Sequence, residues 1–186
     1  MTEQIHDQAQ LERLTFFSDA VFAIAMTLLI VEVKLPPIPV TSEQALAQAL
    51  VELIPQYVGF FVSFVVVGRF WIGHHRVFGR LKRCNDRLVS LNLWFLLTIA
   101  FMPFPTTLVS HYVDTRVGVG FYAAWLTVAG VANIMLQRYA VRSSLAAPGG
   151  ADAAAMVTPL LVMVPLGLSP IVAGRFNRQP RTLPKP

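Results

Sequence analysis

Cysteine is nearly absent from this chain, and charge is scarce. The single cysteine among 186 residues, Cys84, excludes an intramolecular disulfide and any metal–thiolate cluster. Only 13% of the residues are charged. No stretch matches a Walker loop, a GxSxG elbow, an HExxH helix or a dinucleotide fingerprint. These gaps argue against an enzyme, and no catalytic residue is assigned. No internal repeat is visible. The first twelve residues are polar, and no small-residue cleavage site follows the first apolar run, so no cleavable signal peptide is expected.

What fills the chain instead is apolar. Hydrophobic residues make up 55% of it, and the mean hydropathy is +0.58. Soluble domains rarely have such a balance; polytopic membrane proteins do. The net charge of +5 and the pI near 9.9 read as cytoplasmic loop charge. No basic stripe interleaves with aromatics, so nucleic acid is not an expected partner. The expected fold is all-α: one membrane helix bundle over residues 1–186, with about five to six transmembrane helices.

Hydropathy and breakers place the spans. The first covers residues 14–35 after a polar helical lead-in, and Pro36, Pro37 and Pro39 end it. Thr41 to Glu52 reads as a short amphipathic helix capped by Ser42 or Thr41. The second span is 53–76 and the third 88–110, with Pro103 and Pro105 bending or breaking its far half. The fourth is 117–137, where Gly118, Gly120 and Gly130 permit close helix approach. Residues 151–176 make a fifth, with a bend or re-entrant turn at Pro165, Gly167 and Pro170. Two full crossings do not fit there, because each needs about 20 residues. Arg76, Arg80, Lys82, Arg83 and Arg87 mark the most basic loop, and Arg138 and Arg142 mark the next. Both are expected inside, with the N-terminus cytoplasmic and the protein in the cell membrane.

The first span carries Arg13, Ser18 and Asp19 in its first turns. A carboxylate at the bilayer centre costs roughly 2.5–3.5 kcal/mol on insertion scales, so it needs protein, water or a partner charge. At about 100° per residue, Ile24, Leu28 and Val31 share one narrow stripe, which Leu35 continues. Asp19 lies about 140° from Ile24, and Thr27 about 60°. The stripe faces lipid or packs in a core on one reading. On the other it lines a central cavity while Asp19 turns outward to hold neighbouring helices.

Arg13, Ser18, Asp19, Arg69, Trp71, His74, His75, Asp86 and Asn92 gather at the inner ends of the first three spans. A carboxylate accepts from imidazole, indole N–H or hydroxyl, and Asp86 can pair with an arginine. A structural clamp is the first reading and a proton relay the second. A metal site is disfavoured, because adjacent His74 and His75 point about 100° apart on a helix. Arg69 reads as an interfacial, snorkelling residue. A Ser/His/Asp hydrolase is not supported.

The run Arg13, Phe17, Ser18, Asp19, then AVFAIAMTLL, then Trp71 and His74, then Asp86 with LNL and a late FMPFPT resembles the prokaryotic branch of the transmembrane-protein-175 family of potassium channels. The resemblance covers the first three spans. It implies a potassium-permeable homotetramer of six-span subunits in membrane lipid, with K⁺ as the permeant ion and no cofactor. The first helix would line the pore. A hydrophobic constriction at Ile24, with Leu28 and Val31 above it, would replace a carbonyl filter; no TVGYG signature is present. Thr27 would be the layer linked to selectivity. Arg13, Ser18, Asp19, Trp71, His74, Asp86 and Asn92 would form the network that fixes the first helix. Val31 is smaller than the leucine often found there, which implies a wider ring. A proton-coupled carrier or proton-conducting protein built on Asp19 and His74 is the alternative.

Overall fold

The structure, a computed structural model, describes residues 2–35 and 42–143, with side chains from residue 7 onward. These residues form six helices: α1 (Thr2–Val31), α2 (Glu43–Glu52), α3 (Ile54–Phe78), α4 (Asp86–Ala100), α5 (Pro103–His111) and α6 (Arg116–Arg142). The expected span at 151–176 lies outside the described residues.

The polar lead-in and first span are one continuous helix, α1. It stops at Val31, four residues before the expected end at 35. The chain peels away there because its freed amides find partners elsewhere. Val33 N–H reaches back to the Ile30 carbonyl at 3.1 Å, and Lys34 N–H donates to Gln56 Oε1 on α3 at 3.3 Å. Leu35 is therefore beyond the helix and does not extend its stripe. Ser42 caps α2, its hydroxyl accepting from Ala45 N–H at 3.2 Å. Leu53 closes α2 and opens α3 in a single residue, with Pro55 in the first turn of α3, where a missing N–H is harmless.

The third crossing is two helices in line. Asn85 starts α4, its side chain accepting from Leu88 N–H. Pro103 has no N–H, and its ring excludes the carbonyl of residue 99 from the ladder. Met102 N–H therefore bonds Ile99 at 3.0 Å, one residue tighter than an α-helix, and α5 restarts at Pro103. Thr115 caps α6 through Gly118 N–H.

Phe22, Phe70, Phe95, Leu88, Ile99, Met102 and Leu136 form the fully buried centre. Here α1 packs on α3 and α4, α4 on α6, and α5 between α3 and α6. The close helix approach falls at Gly59 on α3, not at the glycines expected to permit it. Any Cβ at Gly59 would run into the Ser110 hydroxyl on α5. Gly120 and Gly130 have no other group within 4 Å of where a Cβ would stand. Gly118 is tight only against its own loop, with the Tyr112 carbonyl 2.7 Å from that point. At the glycines of α6 a Cβ would thus meet open space or only a local turn.

Among the described residues, four crossings are long and apolar enough for a membrane: Asp7–Val31, Ile54–Phe78, Asp86–His111 and Arg116–Arg142. Only 28–44% of their most apolar windows is buried within the subunit. More than half of each apolar window is thus left incompletely buried by the described residues, which water does not favour and lipid or further protein does.

Candidate functional site

Helix α1 has two faces of different use. Ser18, Phe22, Ala25 and Leu29 recur at helical spacing and are all buried, turned onto α3 and α4. On another side Ile24 is 58% exposed, Leu28 44% and Val31 57%. Thr27 is exposed beside them, and its hydroxyl donates to the Ile24 carbonyl at 2.8 Å. That bond leaves the threonine oxygen's lone pairs free toward the open side. A row of branched apolar side chains broken by one hydroxyl oxygen is thus left uncovered by the other described helices.

Behind this face lies the polar cluster. Ser18 donates to the Leu14 carbonyl at 2.7 Å and accepts from Asn92 Nδ2 at 2.9 Å. Asn92 Oδ1 lies 2.9 Å from His74 Nε2. An amide oxygen only accepts, so Nε2 carries the hydrogen. All three side chains are buried, which ties α1, α4 and α3 into one hydrogen-bonded chain. A second tie runs beside it: Trp71 Nε1 donates to Asp19 Oδ1 at 2.8 Å, joining α3 to α1. The His74 ring stacks on Phe78 at 3.9 Å between centroids and lies against Phe22 and Phe95. His74 Nδ1 is the one buried side-chain nitrogen or oxygen without a partner among the described residues.

Ser18, Asp19, Trp71, His74 and Asn92 are thus brought together. Arg13 and Asp86 stand exposed outside this hydrogen-bonded chain, as does Arg69. His75 is exposed and lies beside the Trp71 ring at 5.5 Å, whereas His74 is buried; the two imidazoles diverge. Sequence reasoning missed a second polar group. Thr106 Oγ1 lies 2.8 Å from both Ser63 Oγ and the Met102 carbonyl, and Ser63 Oγ lies 3.0 Å from Tyr122 OH. This knot joins α3, α5 and α6 beside the first turn of α5. A mid-span serine three turns before Arg76 was the only signal for it. Buried Asn133 and Gln137 on α6 pair with each other at 3.1 Å.

The fold and site together define a polytopic α-helical membrane protein whose leading helix is braced by buried polar side chains on one face and uncovered on another. A sequence model described as "Endosomal/lysosomal potassium channel TMEM175" matches residues 13–103, the stretch that holds both faces and the whole cluster. A potassium channel of Chamaesiphon minutus is 34% identical over 145 residues, covering 76% of this chain and 71% of that protein. The bovine endosomal/lysosomal proton channel TMEM175 is 32% identical over 108 residues, covering 55% of this chain and 22% of that protein. The crystal structure of a lysosomal potassium-selective channel TMEM175 homolog from Chamaesiphon minutus superposes with a TM-score of 0.72 at 28% identity. It covers 90% of this chain and 87% of that one. This chain belongs to the TMEM175 family of ion channels.

Proposed function

We propose that the chain is one subunit of a weakly selective potassium channel, in which four copies surround a pore walled by the uncovered face of α1. The observation that carries this reading is the stripe of Ile24, Leu28 and Val31, exposed along α1 while Ser18, Phe22, Ala25 and Leu29 hold its opposite side in the bundle. In a ring of four, Ile24 and Leu28 make an apolar neck that blocks ions by dewetting when narrow and conducts when modestly widened. Potassium passes more readily than sodium because its hydration shell is cheaper to disturb, and the Thr27 oxygens assist at their level. The Ser18–Asn92–His74 chain and the Trp71–Asp19 bond set how far α1 stands from the axis. The channel sits in the cell membrane with its N-terminus and both basic loops in the cytoplasm. The potassium channel of Chamaesiphon minutus supports potassium as the permeant ion.

The test is ion flux through purified protein in liposomes, with potassium, sodium and protons as separate arms. Ile24→Asn places an amide in the neck; potassium flux rises and discrimination against sodium falls. Unchanged flux overturns the pore assignment.

A proton-conducting protein is the second reading. It is favoured by the unpartnered His74 Nδ1 close to the Asp19 tie, and the bovine relative is a proton channel. Proton flux without potassium, abolished by Asp19→Asn, selects it.

A further inference from the structure

The fold gathers cations from two separate loops at one end of the bundle. Asn85, at the start of α4, donates through Nδ2 to Tyr139 OH on α6 at 2.9 Å. The Arg87 guanidinium lies over the same Tyr139 ring, 5.2 Å from its centroid. These two contacts bring the loop bearing Arg80, Lys82 and Arg83 against the last turns of α6, where Arg138 and Arg142 flank Tyr139. All six basic side chains are exposed. None of them is in an ion pair with a carboxylate among the described residues. Asp7 and Asp86, which both act on Cys84 in this loop, are the acids nearby.

Arg87 also heads a line. Trp94 and Phe101 stand seven and fourteen residues further along α4 and its end, so they share its side of the helix. Trp94 is 68% exposed and Phe101 40%. The Cα atoms of Arg87 and Trp94 stand about 10 Å apart along the axis. A fixed cation at the helix end, an aromatic below it and apolar surface beyond match a phospholipid read from phosphate to acyl chain. A free anion in water has no use for the apolar part.

We infer that the Arg83–Arg87–Arg142 end of the bundle, organised on Tyr139, is a binding site for the headgroup of an anionic phospholipid whose chains lie along Trp94 and Phe101. The inference goes beyond channel activity and does not depend on it. A basic loop that only sets orientation needs no ordered guanidinium. A site that recognises phosphate does, because a stacked Arg presents its donors with little further loss of freedom.

The experiment counts lipids retained by the purified protein in uncharged detergent, using native mass spectrometry. Phosphatidylglycerol, phosphatidylcholine and inorganic phosphate are the probes. Phosphatidylglycerol is expected to be retained over phosphatidylcholine, with retention falling as salt rises. Equal retention of the two lipids by the unsubstituted protein overturns the site, with no variant needed. Arg87→Gln and Arg142→Gln each weaken retention roughly five-fold, from about 1 kcal/mol per cation near an anionic surface. Lys34→Gln, the same charge loss beyond the far end of α1, leaves retention unchanged. An equal loss at Lys34 shows a net-charge effect and overturns the site. Tyr139→Leu keeps every charge and removes the ring; retention falls if Arg87 must be held in place, and unchanged retention overturns the role of Tyr139 as organiser. Inorganic phosphate displacing the lipid at matched concentration overturns the lipid assignment in favour of a soluble anion.

Discussion

Asn92 holds two helices to α4 with one amide. Its Nδ2 donates to Ser18 and its Oδ1 accepts from His74, both inside the apolar centre. Each buried partner left unsatisfied costs about 1–3 kcal/mol. Asn92→Leu strands the His74 N–H and removes one of the two bonds of the Ser18 hydroxyl, which keeps the Leu14 carbonyl, whereas Ser18→Ala strands only one amide hydrogen. The thermal midpoint in detergent should therefore fall clearly more for Asn92→Leu than for Ser18→Ala. Equal losses would mean the two bonds do not act through Asn92. Cys84 is governed by the same local physics with the opposite result. Partial burial, then Asp7, then Asp86 push its thiol up from its ordinary range. The thiolate is the reactive form, so raising the pKa shifts reactivity to higher pH. Alkylation of Cys84 should lag a free thiol near neutrality and accelerate only on the alkaline side. Asp86→Asn removes one of the three causes and should move that rise toward lower pH.

Helices α3, α5 and α6 meet through a glycine gap and a set of hydroxyls. Gly59 lets α3 lie against Ser110 of α5, and Ser63, Thr106 and Tyr122 knit the same region to α6. Gly59→Leu forces a side chain into the Ser110 position, and overpacking of this kind costs about 1–3 kcal/mol. A lower thermal midpoint is expected for it, while Gly120→Leu, into open space, should change little. If both behave alike, the α3–α5 contact is not the tight one. Pattern alone cannot separate such glycines. Both sit in apolar helices, and only the course of the neighbouring chain decides which one has something opposite. The break at Phe101–Met102 was legible because proline acts on its own preceding turn. The early end of α1 was not, because Gln56 comes from a different helix.

The four described crossings each bury less than half of their most apolar window, which leaves apolar surface for lipid or further protein. In the proposed assembly, Ile24 of one copy faces Ile24 of the others across the axis. Ile24→Cys in a Cys84→Ser background should then be bridged between subunits by a short bifunctional thiol reagent, since residues that face one another across a pore stand farther apart than the about 4.4–6.8 Å between Cα atoms that a direct disulfide spans. Trp94→Cys, on the side assigned to lipid, should not. Cross-linking at both positions to the same extent would indicate random collision and remove the support for a central α1.

Composition and periodicity were enough for a helical membrane bundle and a leading helix with a polar and an apolar side. These are local properties: hydropathy, proline geometry and 3.6-residue spacing act within one segment. The shared level of the first three spans' inner ends further pointed to Ser18, Asp19, Trp71, His74 and Asn92 as five members of a larger polar cluster. The chain path then divided the candidates, burying those five in part or whole and leaving Arg13 and Asp86 in the open. It also revealed the hydroxyl knot at Ser63 and gathered Arg87 and Arg142 around Tyr139. Which polar groups meet depends on how separate helices cross, and that is set by packing across long sequence distances.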